Sequence, residues 1–96
     1  MSLYTVYVLP RALQETKHLP GHIRQRVKRA ITALAENPQP PGSIALSNIV
    51  IAKPNVIAYR LKIEKWRLVY AIDETEKIVD VMAIRQRPPY DYCDSG

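Results

Sequence analysis

Residues 56–72 constrain the fold more tightly than any other part of the chain. The runs VIAYRLKI (56–63) and WRLVYAI (66–72) alternate apolar with polar or small residues, and only Glu64 and Lys65 separate them. Period-two alternation marks a strand with one buried face, and a two-residue spacer closes an antiparallel hairpin. With Glu64-Lys65 at the turn, Ile63 faces Trp66, Leu61 faces Leu68 and Tyr59 faces Tyr70, which gives a continuous apolar face. On the other face Lys62 meets Arg67, Arg60 meets Val69 and Ala58 meets Ala71. Like charges directly opposite each other destabilise a strand pair. Arg60, Lys62 and Arg67 crowd one face with no acid among them, and an anion bound between them would turn repulsion into a site. Phosphate is the natural anion for clustered arginine and lysine.

The rest of the chain supplies partners for this hairpin. LYTVYVL (3–9) reads as a strand that stops at Pro10, and 11–19 as a short helix ended by LPG. From 22 to 36, Ile23, Val27, Ala30, Ile31 and Leu34 form one apolar helical stripe, and Pro38 ends the helix at Asn37. PQPPGS (38–43) is a loop, NIVIA (48–52) a short strand or an apolar connector, DETEK (73–77) a charged turn and IVDVMAIR (78–85) the last strand. The expected fold is α+β in a single domain over 1–96. An N-terminal strand and a helical hairpin precede an antiparallel sheet of three or four further strands. The helices cover one sheet face and leave the other partly open.

Fourteen Lys and Arg against nine Asp and Glu give a net charge of +5. A small basic domain suits nucleic acid, an acidic protein or an anionic membrane surface. The single cysteine, Cys93, excludes an internal disulfide and reads as a free thiol in a reducing compartment. No apolar run reaches the length of a membrane span, and the first residues lack a secretory pattern, so the expected location is cytoplasmic. No metal-ligand spacing, P-loop or nucleophile elbow is present, so neither metal nor cofactor is expected. His18 and His22 flank the LPG break, away from the hairpin. Further candidates are Arg85 and Arg87, which strict alternation puts on one face, and Tyr90 and Tyr92 beyond them. Arg24, Arg26, Lys28 and Arg29 lie off the apolar stripe of the second helix and offer a basic surface.

YRLKIEKWRLVYAID, then VDVMAIRQR and a tyrosine, resembles the RelE/ParE superfamily of bacterial toxin–antitoxin toxins. The family's hairpin runs Y-R-hydrophobic-K/R-I-G-D-Y-R-V-I-Y-E-I-D, and its last strand ends in basic residues and a tyrosine. Glu64 stands where a glycine is common at the turn. The resemblance implies a RelE-like fold and, in the RelE-like branch, a ribosome-dependent messenger-RNA endoribonuclease that needs no metal. Its implied catalytic set is Lys62, Arg67, Arg87 and either Tyr90 or Tyr92. Arg60, Arg85 and the four basic residues of the second helix would contact RNA. The implied partners are a cognate antitoxin, the ribosome and messenger RNA. The alternatives are a ParE-like toxin that poisons DNA gyrase without cutting RNA, and a catalytically degenerate relative that binds only its antitoxin or nucleic acid.

Overall fold

A computed structural model describes residues 3–46, 53 and 55–86. The elements are β1 (Thr5–Val8), α1 (Pro10–Lys17), α2 (Gly21–Leu34), β2 (Ser43–Ala45), β3 (Val56–Ile63), β4 (Trp66–Asp73) and β5 (Ile78–Gln86). The five strands make one sheet in the order β1-β5-β4-β3-β2. β3, β4 and β5 pair antiparallel, as expected, β2 adds antiparallel to β3, and β1 joins β5 in parallel through Thr5↔Ile78 to Val8↔Val81. The crossover from β1 to β5 passes through both helices and three strands, so no local signal could reveal that pairing.

The helices follow from local chemistry. Pro10 opens α1 at its first turn, where its fixed φ suits the helix and its missing N–H loses no bond. α2 buries Ile23, Val27 and Leu34, with Ala30 and Ile31 partly buried beside them, which is the stripe read from the sequence. Burying each large aliphatic side chain contributes roughly 1.5–3 kcal/mol, so packing outweighs intrinsic helix propensity here. α1 lies against β5, and α2 against β1 and β3. The core gathers Ala12, Leu19, Ile23, Val27 and Leu34 from the helical layer onto Ile63, Leu68, Tyr70, Ile72, Val79, Val81 and Ile84 of the sheet. The backbone oxygen of Ala35 accepts bonds from the N–H groups of Leu3 and Tyr4 (3.1 and 3.0 Å), which ties the end of α2 to the start of β1.

Two differences from the sequence reading have physical causes. Ser43–Ala45, which starts at the last residue of the expected 38–43 loop and runs into positions with no expected element, is a strand. Gly42, at φ +94°, turns the chain into it, and its pairing with Leu61, Arg60 and Tyr59 of β3 is a long-range contact. The segment 48–52 lies outside the described residues. β5 contains a bulge at Met82: Val69 pairs with Ala83 and Tyr70 with Val81. That extra residue shifts the alternation by one. Val79 and Val81 face the core, and after the bulge Ile84 does so again. Strict alternation would have turned Ile84 to the open side and Arg85 inward.

Candidate functional site

The hairpin register is the one read from the sequence: Lys62↔Arg67, Ile63↔Trp66, Leu61↔Leu68 and Tyr59↔Tyr70 are direct partners. The Tyr59 and Tyr70 rings stack with centroids 6.0 Å apart on the helix side. Glu64 carries the strain of the turn, with φ +53°, where glycine is the usual residue. Its carboxylate pairs with Arg26 of α2, so the turn is tied to the helix it faces.

β4 and β5 then add the third member of the row. Arg67 is the direct partner of Arg85 as well as of Lys62, so Lys62, Arg67 and Arg85 form one rung across β3, β4 and β5. Neighbouring strands lie about 4.8 Å apart, so the backbone positions of the three residues span about 10 Å. The next rung carries Arg60 beside Ile44, Val69 and Ala83. The open face therefore presents four cations at one end of the sheet, over an aliphatic floor. The Nε of Arg67 is buried and has no hydrogen-bond partner among the described residues. A buried, unpaired donor on a charged group is costly, and a bound anion would satisfy it. Among the described residues Arg60, Lys62 and Arg67 make no ion pair, so their charge is available to a ligand.

Not every expected cation is free in this way. Arg85 pairs with Glu15 of α1 (3.6 Å), so the cluster does have an acid at its rim. Nothing in the sequence around Glu15 announces this, because the contact joins residues far apart in the chain. Glu64 could have been noticed as an acid at the hairpin tip, but its partner Arg26 could not. Arg24, Lys28 and Arg29 are exposed on α2. Lys28 and Arg29 line an open groove of about 570 Å³ with Gln25, Thr32, Ala33, Glu36 and Asn37. α2 covers the core side of the sheet, so this basic helix surface and the strand cations lie on opposite sides of the molecule. Arg87, Tyr90 and Tyr92 lie outside the described residues. His18 ends α1 and His22 opens α2, and both are exposed. Among the described residues no group of His, Cys, Asp and Glu could hold a metal ion, and no helix is long and apolar enough to cross a membrane.

A family model for the ParE toxin of type II toxin–antitoxin systems, parDE, matches residues 6–88. The chain belongs to this toxin family. Solved structures share its RelE-like fold. An archaeal RelE–RelB complex from Pyrococcus horikoshii OT3 superposes with a TM-score of 0.79 at 18% identity, over 91% of this chain and 98% of that one. The RelBE2 toxin–antitoxin complex of Mycobacterium tuberculosis gives 0.71 at 21% identity, over 88% and 98%. An E. coli RelE mutant in complex with a RelB peptide gives 0.67 at 21% identity, over 98% and 95%. No curated protein matches the chain by sequence. The matched span takes in both helices, β2 to β5 and all but the first residue of β1.

Proposed function

We propose that this toxin-family member is a ribosome-dependent, metal-independent messenger-RNA endoribonuclease, held in check by a cognate antitoxin. The observation that carries the reading is the rung Lys62–Arg67–Arg85 with the orphaned Nε of Arg67 at its centre. RNA brings its own nucleophile. The 2′-oxygen attacks the adjacent phosphorus, the bond from phosphorus to the 5′-oxygen breaks, and a 2′,3′-cyclic phosphate and a 5′-hydroxyl result. Arg67 binds the scissile phosphate and stabilises the charge that builds on it, with Arg60 beside it. Lys62 is the candidate to take the 2′-hydroxyl proton. The leaving 5′-oxygen needs a proton, and Tyr90 or Tyr92 is the candidate donor. Arg87 would contact the phosphate as a fixed cation, since an arginine stays protonated.

The described part of the open face offers no aromatic platform among β3, β4 and β5, because Tyr59, Trp66 and Tyr70 all point to the helix side. Such a surface suits phosphate contacts, which carry no sequence information directly. Codon placement would then come from the ribosome, which would also supply rate through positioning. The basic surface of α2, made by Arg24, Lys28 and Arg29, is the candidate contact to ribosomal RNA phosphates. The solved relatives named above include complexes with RelB antitoxins, which supports an antitoxin as the partner of this chain.

The matching family model favours one second reading, a ParE-like toxin that acts on DNA gyrase. Induction of the chain in cells, with and without Arg67→Ala, separates the two. On the RNase reading, mapped messenger 5′ ends show codon-phased cuts that disappear in the variant. Intact messenger with accumulating double-strand DNA breaks would sink the RNase reading and favour gyrase.

A further inference from the structure

β5 outlasts β1. The parallel ladder stops at Val8↔Val81, and among the described residues the backbone edge of β5 beyond the bulge faces no strand. α1 covers this edge with one side chain. Glu15 Oε1 accepts the backbone N–H of Ile84 at 2.8 Å, and its Oε2 lies 3.6 Å from Nε of Arg85 and 3.8 Å from Nε of Arg11. The carboxylate is mostly shielded, and the backbone donor holds it in place on a rigid strand. Arg85 therefore meets an anchored carboxylate and not a wandering surface charge, in a charge contact at 3.6 Å.

We propose that Glu15 is a positioning residue of the cationic site: it holds Arg85 at the β5 rim and leaves Arg67 as the uncommitted guanidinium of the rung. Arg67 and Arg85 are direct cross-strand partners, and like charges so placed repel and compete for one anion. A carboxylate on the outer arginine, shared with Arg11, weakens the competition and eases the repulsion. The two guanidinium groups then differ in kind. Arg85 already has an anionic partner, while Arg67 keeps a buried Nε with none among the described residues. A phosphate entering the site meets one preferred arginine and is centred on β4, between Lys62 and Arg85. This rests on the phosphate-binding reading above, but the order of the two arginines is testable with phosphate alone.

Glu15→Gln is the informative variant. Glutamine keeps an oxygen for the Ile84 N–H and loses the charge that holds Arg85. The full chain is titrated with inorganic phosphate while the Nε–H resonances of its arginines are followed by NMR. In the unsubstituted protein Arg67 responds first, and Arg85 only at several-fold higher phosphate. In Glu15→Gln the two respond together. Equal responses in the unsubstituted protein, no response from either arginine, or an order unchanged by Glu15→Gln, would each overturn the proposal. A purely structural Glu15 would lower the melting temperature without altering that order.

A second arm uses an unstructured RNA oligonucleotide across a salt series. Arg67→Gln should lower the salt slope by about 0.7, the value for one single-stranded phosphate contact. Glu15→Gln should raise it by a similar amount, and Arg85→Gln should cancel that rise only in the Glu15→Gln background. An unchanged slope in Arg67→Gln would fail the RNA reading while leaving the phosphate order to stand on its own result. A slope that Glu15→Gln leaves unchanged, where Arg67→Gln does lower it, would count against Glu15 alone.

Discussion

Tyr70 shows how much one side chain can join. It is fully buried in the core, and its hydroxyl donates to the Pro38 backbone oxygen at 2.7 Å. The bond ties β4 to the loop that follows α2. Burial pushes the hydroxyl up to about 12, because the charged form would have to sit among apolar atoms. A tyrosine raised in the folded state favours folding fully below its ordinary value near 10, and that contribution is lost as pH rises towards about 12. Tyr70→Phe should lose about 1 kcal/mol at neutral pH, or about 4–8 °C of melting temperature in a domain of this size. Denaturant unfolding between pH 9 and 12 should show a shallower alkaline decline in Tyr70→Phe than in the parent. Parallel declines would mean that another tyrosine carries the effect. The bond to Pro38 has no sequence signature, whereas the placement of Tyr70 opposite Tyr59 follows from alternation and turn length alone.

At the scale of elements, the hairpin was legible and β5 was only half so. The β3–β4 register follows from a two-residue turn and one apolar face, because a slip of one residue would expose the whole apolar set. The turn itself is compromised, since Glu64 holds a left-handed φ that costs a residue with a Cβ roughly 1–2 kcal/mol. Its pairing with Arg26 offsets part of that cost. In an Arg26→Gln background, where the pairing is gone, Glu64→Gly should raise stability by about 1 kcal/mol in chemical denaturation. A loss of stability there would show that the turn does not strain Glu64. β5 looked like a simple alternating strand. The core positions Val79, Val81 and Ile84 are spaced two and then three apart, and that break in phase is the one written sign of the bulge. Because of it, Arg85 reaches the open face beside Arg67.

For the molecule as a whole, the sheet separates two tasks. One side carries the core and two helices. The other carries Arg60, Lys62, Arg67 and Arg85, at the end of the sheet where the β3–β4 turn lies. Their mutual repulsion is present whenever the protein is folded and no anion is bound, and an anion that binds only the folded state stabilises it by mass action. Phosphate should therefore raise the melting temperature more than chloride at equal ionic strength. At phosphate ten times its dissociation constant the gain is about 1.4 kcal/mol, and Arg67→Gln should reduce it sharply. Equal shifts with the two salts would show that the cluster holds no anion and would leave only general screening. The basic surface of α2 faces away from this cluster, so a ligand that touched both would have to reach around the domain.

The sequence by itself determined the hairpin, its register, the apolar stripe of α2 and the cation pair on the open face. These are local facts, written in period, turn length and charge within short stretches. Tertiary structure alone decided the parallel pairing of β1 with β5, the strand at Ser43–Ala45, the turning of Arg85 by the bulge and the arrival of Glu15 and Arg26 at their partners. Each joins residues distant in the chain, and such contacts depend on how the packed layers meet, which no window of sequence records.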